Sequence, residues 1–332
     1  MMFLTSPTSR KHALIAVVVL LIPMIPSFLL FPLGLSLTMG QFICGVLVGL
    51  LSAAMIGART ALGVSAVLTV AIFLAFLSTS QPVLAGLVMA VSAGLYGLSS
   101  RRGLVGVATA APISVAFTLA TPPQVLTDAT HLQNATVLAL VSLAGTLWGV
   151  VVGTVVMRKR TRPKVSVTPV HAAMCLGVIL AIVTGITMSI VVANNLQNGG
   201  AWIILTVLVI SQPALGATWR KAIERLIGTA IGFCIAFAVS LVVPHGWVDL
   251  LIALVFFALV AYVKLDSSKH YWQYTMFLTP AVVLTVGSST NVLSTDVWRV
   301  ICTVIGAVIS MGIVAVLIWY NKLKPVKQAV AG

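Results

Sequence analysis

Residues 225–232 read RLIGTAIG and residues 299–306 read RVICTVIG, so the pattern Arg-x-x-x-Thr-x-x-Gly occurs twice inside runs that are otherwise almost wholly apolar. A helix turns about 100° per residue, which places Arg225, Thr229 and Gly232 on one stripe and Arg299, Thr303 and Gly306 on another. Glycine admits a neighbouring helix, threonine hydrogen-bonds across to it or back to its own i−4 carbonyl, and a guanidinium demands an anion or water. An ionised side chain inside a membrane span costs about 2.5 to 3.5 kcal/mol on insertion scales, so keeping two calls for partners. Two readings stand. Either the arginines hold a small anion, or they are satisfied locally: by lipid headgroups, by Asp296 one turn before Arg299, or by a carboxylate on another helix for Arg225.

Other polar residues extend this set. Gln212 beside Pro213 either breaks a helix in the protein interior and exposes its carbonyls, as transport sites do, or ends a span at the inner surface. Tyr271, Trp272 and Tyr274 can stack on an aromatic body or form an interfacial belt. The candidate binding residues are therefore Gln212, Pro213, Arg225, Thr229, Tyr271, Tyr274, Arg299 and Thr303. Of the five acidic residues, Glu224 and Asp296 adjoin the two motifs and are the candidates for proton coupling, with pairing to Arg220 at i−4 as the competing use of Glu224. His12 and His171 read as interfacial. Cys44, Cys175, Cys234 and Cys302 lack CxxC spacing and lie in apolar runs, so no metal and no cofactor is expected. Without an HExxH, paired carboxylates on one helical face, or a nucleophile beside a base, no enzyme is expected either.

The elements that must position these residues are membrane helices. The 332-residue chain is 60% hydrophobic and 7% charged, against about 25% charged in a soluble domain. Its net charge of +14 is not gathered into a basic groove with interleaved aromatics, which argues against nucleic acid. At about 20 residues per span, twelve segments qualify: 12–31, 36–57, 60–79, 81–100, 103–121, 135–157, 170–193, 200–219, 222–243, 247–264, 272–288 and 296–320. The first resembles a signal peptide but lacks a small-residue cleavage site, and is expected to remain as a span. Apart from Arg225 and Arg299, every Lys and Arg falls in alternate connections, from Arg10 and Lys11 through Arg59, Arg101, Arg102, the 158–164 cluster, Arg220, Lys221, Lys264 and Lys269 to Lys322, Lys324 and Lys327. The intervening loops carry none, so the positive-inside rule sets both termini in the cytoplasm.

The fold expected is an all-α integral membrane protein of about twelve helices in two six-helix repeats. The first half spans 1–157, a basic linker 158–169, the second half 170–321, and a cytoplasmic tail 322–332. A shift of 159 residues aligns His12 with His171, Gly40 with Gly199, Ser52 with Ser211 and Gly57-Ala58 with Gly216-Ala217. Six helices per half make the halves parallel repeats. Arg225 opens an outward span and Arg299 an inward one, so a nested, inverted three-helix unit would set the two arginines near opposite faces.

Within GAWIILTVLVISQPALGATWRKAIERLIGTAIG, residues 200–232, the set Trp202, Gln212-Pro213, Gly216-Ala217-Thr218, Arg220, Arg225, Gly228-Thr229 and Gly232 resembles the signature of the fusaric acid resistance family of integral membrane transporters. YWQYTMFLTPAVVLTVG, residues 271–287, followed by Arg299, Thr303 and Gly306, resembles that family's closing segment. The resemblance runs over 168–320. The first half fits by hydropathy and Gly57-Ala58-Arg59 but lacks the Gln-Pro and Arg-x-x-x-Thr patterns, so binding residues are expected in the second half. What the resemblance implies is secondary-active efflux of small organic anions, such as aromatic carboxylic acids, across a plasma or inner membrane. A homo-oligomer or a separate adaptor protein are the candidate partners besides substrate and bilayer. An organic-anion channel is the alternative, since plant malate channels are distantly similar to the family, and a non-transporting membrane scaffold is a third reading. Arg299→Gln is expected to abolish uptake of a labelled aromatic acid into inverted vesicles while leaving membrane insertion intact; unchanged uptake would remove Arg299 from the site.

Overall fold

The computed structural model describes residues 22–30, 32–104, 108–123, 125–126, 129–157, 168–196, 199–211, 215–242, 247–265, 270–286, 301–313 and 315–316. Among these residues every regular element is helical. The expected first span is described from Ile22, where Ile22–Leu30 forms a 3-10 helix with Pro26 inside it; proline has no N–H for a regular α-helical ladder. A short 3-10 turn, Ser36–Thr38, leads into α1, Met39–Ile56. Gly57, at φ 98°, is the one residue between α1 and α2, Ala58–Leu77, and only glycine adopts that backbone without strain. Pro82 opens α3, Pro82–Ser99, at the first helical position, where a missing N–H leaves nothing unsatisfied. There follow α4, Ala110–Ala120; α5, His131–Met157; α6, Val170–Ala193; α7, Gly200–Ile210; α8, Leu215–Val242; α9, Trp247–Leu265; and α10, Tyr271–Val286. Helix α11 is Ile301–Ile313.

These helices are apolar on both faces. Along α6, Leu176, Leu180, Met188 and Val191 are buried, while Val170, Met174, Val178, Ile182, Ile186 and Ile190 are exposed at every fourth position. Exposed apolar stripes of that length are compatible with lipid and not with water. Among the described residues, five helical stretches are long and apolar enough to cross a bilayer: Met39–Ile56, Ala58–Leu77, Pro82–Arg102, His131–Val155 and Val170–Ala193.

Two expected spans take a different form. The segment expected at 103–121 has its regular helix at Ala110–Ala120, and the one expected at 200–219 is helical as Gly200–Ile210. At 1.5 Å per residue each of these helices is about 16 Å long, half of a hydrocarbon core of about 30 Å. They pack against one another. Helix α8 then begins at Leu215 and takes in Arg220, which was expected in a loop; its 28 residues are about 42 Å long, enough for its polar first turns to stand in the headgroup layer. The candidates Gln212, Pro213, Arg299 and Asp296 lie outside the described residues, as do most of the basic linker and the C-terminal tail.

Small residues set the helix spacing. Helices α1 and α5 touch backbone to backbone: a Cβ on Gly45 would stand 2.7 Å from the Ser142 carbonyl oxygen, and one on Gly149 would be closer still to that of Val46. Packing of this kind replaces the hydrophobic drive that lipid cannot supply between helices. Gly149→Val is therefore expected to lower the yield and melting temperature of the detergent-purified protein sharply. Gly63→Ala, where an added Cβ meets nothing within 4 Å, should be neutral or stabilise by up to about 1 kcal/mol; equal losses in both variants would refute the close-packing account.

Candidate functional site

Thr303 of the second Arg-x-x-x-Thr-x-x-Gly pattern shares a cavity with Arg225 and Thr229 of the first. Gly228 and Gly232 face α10 from α8: a Cβ on Gly232 would stand 2.5 Å from the Met276 carbonyl oxygen, and one on Gly228 would strike the Thr275 side chain. With the two helices this close, the α8 stripe Arg225–Thr229 lies against the α10 stripe Tyr271–Thr275–Leu278–Thr279. On α11, Gly306 plays the same part toward α7, its hypothetical Cβ lying 2.8 Å from the Ile203 carbonyl oxygen. The glycines thus act as spacers, and the threonines of both patterns line one cavity.

That cavity is bounded by Trp202 of α7, Arg225 and Thr229 of α8, Thr275, Leu278 and Thr279 of α10, and Thr303 of α11, and encloses about 30 Å³. That is room for water and far below the roughly 300 Å³ of a small-molecule pocket. Trp202 meets Phe117 of α4 edge-on, with ring centroids 5.5 Å apart, so α4 stands behind the α7 wall.

Arg225 dominates the electrostatics. It is 4% exposed, too little for a headgroup to reach it. Nη1 donates to the Tyr271 hydroxyl at 3.2 Å, whereas Nε is buried without a hydrogen-bond partner. No carboxylate pairs with Arg225 among the described residues; the ion pair found there is Arg220 Nε with Glu224 Oε1 at 2.7 Å. Glu224 is thereby tied to a largely exposed arginine at the helix start. An unpaired buried charge costs several kcal/mol, and a guanidinium offers five donors in a fixed fork suited to carboxylate.

Of the sequence candidates, Arg225, Thr229 and Thr303 share the cavity, Tyr271 holds Arg225, and Tyr274 stacks on Tyr271 with centroids 5.7 Å apart. The half-buried Tyr271 is therefore part of the arginine's surroundings rather than of an exposed belt. Sequence reasoning missed Thr275, Leu278 and Thr279 as lining residues. Their signal was present: Tyr271, Thr275 and Thr279 recur at i, i+4 and i+8, a polar stripe in an apolar run. Thr275 and Thr279 also bond backward along α10, to the carbonyls of Trp272 at 3.0 Å and Thr275 at 2.9 Å.

Fold and site together define a polytopic α-helical membrane protein with a buried cationic cavity. Residues 186–313 match the family described as fusaric acid resistance protein-like, a stretch that contains every residue lining the cavity. No curated protein and no solved structure matches the chain. Tyr271→Phe, which leaves a second arginine donor unpaired in the interior, is expected to cost about 1–3 kcal/mol. Thermal unfolding in detergent measures this, and Tyr274→Phe, which keeps the Tyr271 hydroxyl, serves as the comparison that should change less.

Proposed function

We propose that the protein is a secondary-active exporter of small organic anions, aromatic carboxylic acids among them, in a plasma or inner membrane. The observation that carries this reading is the buried Arg225, whose Nε lacks a partner beside a cavity lined by threonines. A carboxylate entering there would take Nε and one terminal nitrogen, with Thr229 and Thr303 able to donate and Trp202 offering an aromatic wall. Because a cavity of about 30 Å³ is too small for an aromatic acid, entry requires α8, α10 and α7 to part, and with them the Arg225–Tyr271 bond. That requirement suits a carrier that opens alternately better than a standing pore. An anion leaving a cell interior held negative gains about 2.3 kcal/mol per 100 mV, so export is favoured before any coupling is added. Since Glu224 is engaged by Arg220, Asp296 is the better coupling candidate. Arg299 is assigned a second contact with substrate, and Gln212 and Pro213 are kept in the same substrate-binding set.

The architecture belonging to this reading is about twelve spans in two six-helix repeats with both termini cytoplasmic. Packing supports the repeat: a shift of 159 residues carries α1 and α5 onto α7 and α11, and each pair closes through glycine. It likewise carries α2 and α4 onto α8 and α10, and both pairs are in contact. No catalytic chemistry and no resident cofactor are assigned; an adaptor protein or a second copy of the chain is the proposed partner class.

Inverted vesicles containing the purified protein should accumulate a labelled aromatic acid. Arg225→Gln should cut uptake roughly 10- to 150-fold, the equivalent of losing charge-assisted hydrogen bonds of about 1.5–3 kcal/mol, and Arg225→Lys should fall between. Full activity in Arg225→Gln would end the proposal, and single-channel currents in planar bilayers would make the protein a channel instead.

A further inference from the structure

The threonines of this protein do not all spend their hydroxyls in the same way. Inside a helix a threonine commonly returns its proton to a carbonyl one turn back, as Thr69, Thr184 and Thr187 do at 2.9, 2.7 and 2.7 Å. In the Arg225 cavity Thr279 does so toward the Thr275 carbonyl, and Thr275 toward that of Trp272. Thr229, which lines the same cavity, makes no hydrogen bond among the described residues. One turn before it on α8, Arg225 also lines the cavity and is buried with Nε unpartnered. Two donors, one of them charged, thus adjoin a single space without an acceptor among the described residues.

We infer that this cavity is a binding site for a monatomic anion of chloride's size, held by Arg225 Nε and the Thr229 hydroxyl. Charge decides the sign. A buried guanidinium whose printed partner is the neutral Tyr271 hydroxyl is offset by an anion, is left uncompensated by water alone, and repels a cation. Size decides the class. About 30 Å³ has room for water, and a bare chloride is only slightly larger than a water molecule, whereas sulfate, phosphate or a carboxylic acid needs the helices to part. Hydration points the same way, because two donors set beside Trp202 and Leu278 can replace the shell of a weakly hydrated monovalent ion but not that of a divalent one. One site per chain is expected, since residues 60–100 and 103–157 of the first half contain no lysine or arginine. The ion site itself rests on the cavity alone. Its consequence rests on the export reading: chloride and the substrate carboxylate compete for Arg225, and the acid must displace the halide that neutralises the site between turnovers.

The test is the melting temperature of the purified full-length protein in detergent, with sodium chloride exchanged at constant ionic strength for sodium isethionate, whose anion is too large for the cavity. Chloride and bromide should each raise the midpoint saturably by several degrees, because a ligand bound to the folded state stabilises it. Arg225→Gln and Thr229→Val should weaken the apparent chloride affinity at least tenfold, while Thr69→Val, whose wild-type hydroxyl is engaged within α2, keeps it. An experimental structure with bromide as the sole small anion should show anomalous density beside Arg225 and Thr229. Equal midpoints in chloride and isethionate, a chloride response undiminished in Arg225→Gln, or bromide confined to the protein surface would overturn the proposal and leave water as the partner of these donors. Should Arg225→Gln not fold, the wild-type titration and the bromide structure still decide. Chloride should also raise the apparent KM for uptake of a labelled aromatic acid into inverted vesicles without lowering the maximal rate. Halide binding by a protein that moves no aromatic acid would sink the export reading and leave this site standing; uptake indifferent to halide would sink the site alone.

Discussion

A guanidinium kept out of both water and lipid is the constraint around which the second half is organised. Arg225 is buried to 4% exposure, and the Tyr271 hydroxyl is a neutral partner that cannot offset its charge. Inside a membrane such a group pairs with another ionisable residue or backbone carbonyls, or faces a water-filled cavity, and among the described residues no carboxylate pairs with it. Around it stand threonines and a cavity with room for water. On the proposed function, stability given up locally would be recovered when an anion binds.

Close helix contact is what makes such a site sharp. Gly228 and Gly232 bring α10 onto α8, and Gly306 brings α11 onto α7, so that side chains from four helices meet across a few ångströms. The two short helices supply the remaining ingredient. Helix α7 is buried on all sides, from Ile203 to Leu208 without interruption, and its end is tied to the first half through Tyr96. Phe117 and Trp202 join the halves at the other end of the same pair. Movement of one half against the other would therefore act directly on the cavity wall that carries Trp202.

The long spans were readable because bilayer thickness fixes apolar length. Segments expected at 36–57, 170–193, 247–264 and 272–288 appear as Met39–Ile56, Val170–Ala193, Trp247–Leu265 and Tyr271–Val286. The break between α7 and α8 was harder to place. Hydropathy averages across Gln212-Pro213, and the residues after it, Leu215 to Trp219, suit a helix interior as well as a span's end. Arg225 and Thr303 were legible as candidates because charge and hydroxyl stand out in an apolar run. The Arg225–Tyr271 bond was not, since 46 residues separate the partners and no local periodicity records which helices meet. For the same reason the contact of α3 with α6, across the linker between halves, leaves no mark in the sequence.

What occupies Arg225 Nε can be seen directly. An experimental structure of the protein with 4-bromobenzoate should place the carboxylate within hydrogen-bond distance of the Arg225 guanidinium, between Thr229 and Thr303, with anomalous bromine density marking the ring. A structure in which Arg225 is instead paired with a carboxylate of its own chain, with bromine absent from an unchanged cavity, would contradict the account.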